Sequence, residues 1–232
     1  MNEFTRRTFL KQAGLAALGA TGLVLRADAA PTPTSPDAAE AEKILIEMGP
    51  PPKTVAMARG DLQQTVSREL GPFYKTGAPF RAKVCPPFEP GKALVVSGRV
   101  WGFDTRKPLP GVLLDVWQVD HHGRYSAGDG DFKNRARLLT AEDGSYEFET
   151  IHPVAYQPNA NMWRSPHIHF IAQGTGYQRL VSEMFFKGDP RQDVDWLIHP
   201  ELVVPYERKE INGQQVEFAI FDIVLAAAGS NG

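Results

Sequence analysis

Apolar and polar positions alternate along much of this chain, the pattern of strands that turn one face to a core. Leu94 to Phe103 reads as one strand. Val112 to Val119 reads as a second, mostly buried strand, and Ser145 to Thr150 as a third, with Tyr146, Phe148 and Thr150 on one side. Turns fall between them: a Pro- and Gly-rich stretch after Phe103, Asp120 to Gly123, and Thr140 to Gly144. Ile151 to Pro158 reads as a loop. Nearer the C-terminus, Asn212-Gly213 stands between two further strand-like runs, a hairpin signal that closes the sheet structure late in the chain. No internal repeat stands out. The pattern predicts an all-β protein.

The first residues break that pattern. Thr5-Arg6-Arg7-Thr8-Phe9-Leu10-Lys11, the weakly apolar Ala13 to Leu25 and then Ala27-Asp28-Ala29 read as a twin-arginine export signal with a small-residue cleavage site. The apolar run is too short for an ordinary spanning helix, so no stable membrane insertion is expected after cleavage. Residues 1–29 are therefore assigned to the signal and 30–62 to a Pro/Ala-rich arm with a short helical patch from Ala39 to Met48. Residues 63–228 are assigned to one domain. The location expected is periplasmic or secreted. About 200 residues remain after cleavage, enough for one sizeable domain and too few for two. A net charge of −2 with no basic run argues against nucleic-acid binding. The lone Cys85 cannot form an intrachain disulfide, which leaves a packed or surface thiol.

The chemistry begins at Trp163 to Phe170. A His-x-His pair on a strand, His167 and His169, puts two imidazoles on one face, the spacing a metal needs. Zinc is usually held by Cys, His or carboxylate, and ferrous oxygenases favour two His and one carboxylate. Two tyrosines in strand-end and turn contexts lie upstream, and tyrosinate beside histidine points instead to ferric iron. Singly, Tyr125 serves as well as a capping aromatic, Tyr156 as a packing residue before Pro158, and Arg164 as the partner of a surface acid. His121, His122, His152 and His199 sit in or beside turns and are not expected to be ligands. Trp101, Trp117, Trp163 and Trp196 are expected to be core aromatics.

Five motifs in one order give the set a wider context. They are Asp115-Val-Trp-Gln118 with Gly123-Arg-Tyr125; Gly144 to Tyr156; Trp163-Arg-x-x-His-Ile-His-Phe170; Phe186-x-Gly-Asp-Pro190; and Phe221-Asp-Ile-Val-Leu225. Together, over roughly Gln63 to Leu225, they resemble the intradiol ring-cleavage dioxygenases, above all the catalytic chain of protocatechuate 3,4-dioxygenase. The resemblance implies an antiparallel β-sandwich of the intradiol dioxygenase type with a short N-terminal arm. It also implies a non-haem Fe(III) held by Tyr125, Tyr156, His167 and His169. The implied reaction opens a catechol-type diol between its hydroxylated carbons with O2, giving a cis,cis-muconate. Tyr156 would be the ligand displaced by substrate, and Arg164 would offset negative charge as it builds. Export of folded protein suits an enzyme that loads iron before crossing. Members commonly assemble, which allows for a homo-oligomer.

One position departs from the family pattern. Where members commonly carry a glutamine near the substrate, this chain has Glu183, a carboxylate able to bond Arg164 or to accept a proton from the diol. Two other readings stay open. Ser97 to Val100, Pro108 to Val112 and Glu142 to Phe148 also resemble small exported transthyretin-like β-sandwich modules that bind without catalysis. A zinc or cupin-like hydrolase could use His167 and His169. Both would be colourless, whereas ferric tyrosinate absorbs visible light.

Overall fold

The computed structural model describes residues 62–229. The export signal, most of the arm and the Ala39 to Met48 patch lie outside the described residues. The chain enters as an extended strap through Phe80, tied down by its backbone: the Thr65 amide donates to the Val224 carbonyl and the Arg68 amide to that of Val181, at 3.1 and 2.7 Å.

Two sheets follow. The first contains β1 (Ala93–Gly102), β4 (Ser145–Ile151), β10 (Tyr206–Ile211), β11 (Gln214–Ile220) and β12 (Ile223–Leu225). The second runs in the order β3 (Arg135–Leu139), β2 (Leu113–Trp117), β7 (His167–Gln173), β8 (Leu180–Phe186), β9 (Val203–Val204). A small hairpin, β5 (Tyr156–Asn159) with β6 (Met162–Arg164), stands beside them. Leu94, Val96, Val100 and Phe148 of the first sheet and Leu114, Val116, Ile168 and Phe170 of the second join one buried apolar cluster. The all-β expectation therefore holds, and so do the period-two faces that produce it.

The sheets differ from expectation in direction. They are mixed rather than antiparallel throughout: β1 runs parallel to β11 and then to β12, and β8 parallel to β9. Alternation of side chains says which face is buried and nothing about which neighbour fills an edge. Here the Asn212-Gly213 turn, with both residues at positive φ of 51° and 76°, makes β10 and β11 antiparallel. It leaves β11 to fill the edge of β1 that β4 does not occupy.

Where β11 gives way to β12, Phe221 turns its carbonyl toward β1, and the Tyr146 hydroxyl donates to it at 2.5 Å. A Cβ on Gly98 would lie 1.9 Å from that oxygen, so only glycine lets the strands meet here. Two local expectations are corrected. Tyr156 opens β5, paired with Arg164, instead of lying in a loop; β5 is irregular, with Pro158 lacking an N–H for the ladder, so no alternation announces it. Trp196 is 76 % exposed, because its neighbour Asp195 takes the inward position. Cys85 is buried.

Candidate metal centre

The site grows from the middle of the second sheet. In β7 the residues alternate between two covered faces: Ile168, Phe170 and Ala172 enter the core, while His167, His169 and Ile171 face the strap, so that six consecutive residues are buried. Register then sets the neighbours of His169. Trp117 of β2 lies opposite it on one side and Glu183 of β8 on the other. Directly opposed residues share a face, so Trp117, His169 and Glu183 form a row across three strands. The indole lies flat against the His169 imidazole, with ring centroids 4.9 Å apart and planes 2° apart.

The tyrosines arrive from outside this sheet. Tyr125 follows a turn in which the Asp120 carboxylate accepts from the backbone amides of His122 and Arg124, and Phe73 of the strap stacks on its ring at 4.4 Å. Tyr156 comes from the β5–β6 hairpin. The two loops touch at Gly123, whose φ is +75° and where a Cβ would come within 2.9 Å of the Tyr156 Cβ. A side chain at Gly123 would separate the phenols.

Four donor atoms converge. The Tyr125 hydroxyl is 3.4 Å from that of Tyr156 and 3.4 Å from His167 Nε2, which is 3.2 Å from His169 Nε2. Such separations are those of neighbouring ligands around one ion with bonds of about 2 Å. The His167 Nδ1–H donates to the Ser165 carbonyl at 2.6 Å, which leaves Nε2 with its lone pair pointing at the cluster. Burial holds both imidazoles neutral: it lowers the pKa of His167 to about 3 and that of His169 well below the usual value, with the Arg164 charge adding to both effects. Burial likewise raises the tyrosine pKa values, that of Tyr125 farthest, with Tyr156 beside it the next cause. Neutral imidazoles and phenols that ionise only beside a strong positive charge make a donor set suited to a highly charged cation.

Glu183 has a different place. His167, His169 and Glu183 together offer ligand atoms within 4.8 Å of one another, the composition of a two-histidine, one-carboxylate site. Yet Glu183 Oε1 approaches the far nitrogen of His169, Nδ1, at 3.3 Å without hydrogen-bond geometry, and stands 4.0 Å from His167 Nε2. One Arg164 nitrogen donates to both of its oxygens at 2.9 Å. The carboxylate thus backs His169 and engages Arg164, the contact that a charge at this position makes possible. Burial raises its pKa, against the opposing pull of Arg164.

Sequence reasoning missed Asp195. Its carboxylate, fully buried, accepts from the Ser165 amide at 2.7 Å and from Arg164 Nε at 3.4 Å, anchoring the segment that begins the His-x-His strand. It also missed the stacked Trp117. Nothing in the spacing of Asp195, some thirty residues from Arg164, could have announced the contact; Trp117 was legible as buried but not as a partner of His169. His121, His122, His152 and His199 lie outside the four-atom cluster. His152 instead pairs with Glu217.

Comparison with known proteins places the chain in a family. The sequence profile of the family described as Dioxygenase matches residues 70–227. A chlorocatechol 1,2-dioxygenase from Rhodococcus opacus is 34 % identical over 187 residues, 69 % of this chain and 72 % of that protein. The chain belongs to the intradiol ring-cleavage dioxygenases. Membership makes it an oxidoreductase of the dioxygenase type. Another relative, the protocatechuate 3,4-dioxygenase beta chain of Burkholderia cepacia, is 40 % identical over 113 residues, 43 % of this chain; the match spans about half of that relative, 47 %. Among solved structures, the dioxygenase domain of a dioxygenase and carbohydrate-binding fusion from Streptomyces sp. SirexAA-E superposes with a TM-score of 0.63. It is 34 % identical, over 72 % of this chain and all of that one. Intradiol relatives of both the chlorocatechol and the protocatechuate kind are thus similar to this chain.

Proposed function

We propose that this intradiol dioxygenase holds Fe(III) through Tyr125, Tyr156, His167 and His169, and opens a catechol-type diol with O2 to a cis,cis-muconate. The convergence of two phenol oxygens and two imidazole Nε2 atoms at 3.2–3.4 Å carries the reading. When bound, a ferric ion supplies the charge that keeps the tyrosinates ionised and the chelated ring reactive toward O2. Tyr156, on the short β5–β6 hairpin, would as the tyrosinate take a diol proton at its oxygen, become the neutral phenol and swing aside. Tyr125, pinned between Phe73 and the second sheet, stays. Arg164 presents a buried positive charge beside the site, fixed by Glu183 and Asp195. Trp117 and the strap keep water from the His169 side.

Iron loading followed by visible spectroscopy and oxygen uptake on a panel of catechols tests the reading. A tyrosinate charge-transfer band that shifts on adding catechol, with O2 consumption, is expected. A colourless iron-loaded protein overturns the ligand set. If Tyr125→Phe then retained the metal, the two-histidine, one-glutamate alternative would replace it, while a protein without metal or O2 uptake would be a transthyretin-like binding module.

Residues 1–29 support a further part of the reading, that the enzyme acts outside the cytoplasm after twin-arginine export. Arg6→Lys with Arg7→Lys should leave it inside the cell, and unchanged export would dismiss the signal. Among the described residues no helix is long and apolar enough to cross a membrane. The assembly habits of the family support a homo-oligomer, which sedimentation would reveal as a mass above one chain.

A further inference from the structure

A cavity of about 260 Å³ opens at the end of β4, with His152, Pro153, Phe186, Pro190 and Tyr206 in its wall. None of the four side chains proposed to hold iron lines it. Its floor holds Glu217 of β11, which is 1 % exposed. Arg208 Nε lies 3.0 Å from one Glu217 oxygen and His152 Nδ1 2.5 Å from the other. A carboxylate carrying a guanidinium is ionised and can only accept, so His152 donates through Nδ1–H and keeps the lone pair on Nε2. No hydrogen bond reaches Nε2 among the described residues.

The rest of the cavity adds two kinds of contact. The His152 ring packs against Phe186 and Tyr206, at centroid distances of 4.6 and 5.2 Å, and those two rings meet edge to face at 6.3 Å, an aromatic cluster in the cavity wall. At the rim are the exposed Lys92 and Lys187, neither with a carboxylate at ion-pair distance among the described residues. The remaining acid of the lining, Asp189, is engaged in accepting from the Arg191 amide at 2.7 Å. Cations at the mouth, aromatic side chains in the wall and the half-buried acceptor of His152 suit a small ligand with an anionic end, a flat body and a proton to give. Pockets for drug-sized ligands run to about 300–1,000 Å³, so this one admits a single ring.

We propose that this cavity is a second ligand site, for a small aromatic hydroxy acid whose carboxylate meets Lys92 and Lys187 and whose hydroxyl donates to His152 Nε2. The site is separate from the candidate metal centre, but its wall runs from Pro153 through Ala155 directly into Tyr156.

Calorimetric titration of the iron-loaded full chain with 4-hydroxybenzoate, followed in parallel by the visible band, tests the assignment. The band reports occupancy at iron. The expected result is a binding event that leaves the band unmoved, is roughly tenfold or more weaker in Lys92→Gln/Lys187→Gln, and is several-fold weaker for benzoate, which lacks the hydroxyl. Both lysines are exposed and outside the catalytic machinery, so the double variant should keep its turnover. Binding that is equal in the double variant, or that always moves the band, overturns the proposal. Should the protein prove colourless, the comparison of wild type with the double variant still decides this site while the iron reading alone fails.

Discussion

At Glu183 a buried carboxylate meets a buried guanidinium, and the two depend on each other. Breaking such a pair by removing one partner costs about 3–5 kcal/mol, because the other is left charged in a poor solvent. Glu183→Ala should approach that loss in urea unfolding, moderated by Asp195, which keeps one contact to Arg164. Glu183→Gln should lose less and retain iron and colour, since the residue backs His169 and does not enter the four-atom cluster. Loss of iron in Glu183→Gln would place the carboxylate on the metal. By contrast, His167→Ala, His169→Ala and Tyr125→Phe should each abolish the visible band and most iron retention, measured by metal analysis after dialysis. Tyr156→Phe should keep much of the iron and slow turnover. Arg164→Ala should lower turnover by on the order of 10²-fold, the usual scale for a lost charge stabiliser.

Among the elements, β2 and β1 carry constraints that individual residues do not show. Trp117 fills the row beside His169 and is 1 % exposed. Trp117→Leu should cost a few kcal/mol by the measure of large-to-small core changes, and should weaken iron retention by freeing the imidazole to tilt. A full stability loss with unchanged iron affinity would limit the indole to packing. Gly98 is a test of the junction of β1 with β11 and β12. Alanine there must push on the Phe221 backbone, so Gly98→Ala should lower the unfolding midpoint sharply or prevent folding. The strands themselves were readable from alternation, and the β10–β11 hairpin from Asn212-Gly213. The parallel partners of β1 were not, because period-two patterning is blind to strand direction, and β5 was not, because Pro158 interrupts its ladder.

For the molecule as a whole, burying neutral histidines ties stability to pH. His167, with a pKa lowered to about 3, and His169, also lowered, bind protons in the unfolded chain near the usual value but not in the fold. Below about 6.5 the unfolded state therefore takes up more protons, and the iron-free protein should lose stability as pH falls, by up to about 1.4 kcal/mol per pH unit for each histidine. Urea unfolding at pH 7, 6 and 5 should show this slope, and His167→Gln/His169→Gln should flatten it. An equal slope in the double variant would assign the dependence to other groups. On the proposed ligand set iron would bind only the folded arrangement of four donors, so loading should raise the unfolding temperature.

The order of five motifs, the His-x-His spacing and the two tyrosines determined the family, the fold class and the residues from which the candidate centre is built. These are local properties: a spacing of two puts imidazoles on one face whatever lies around them. Even the departure at Glu183 was legible as a charge where an amide is usual. Tertiary structure decided what each group meets. It placed Glu183 against the back of His169 and under Arg164, brought Asp195 from a distant loop to hold both Ser165 and Arg164, and laid Trp117 flat on the His169 ring. It also turned Trp196 out into solvent and enclosed His152 with Glu217 in a second cavity. Those contacts arise where separate strands and loops are pressed together by one apolar core, so their partners are set by register and packing, which no single stretch of sequence contains.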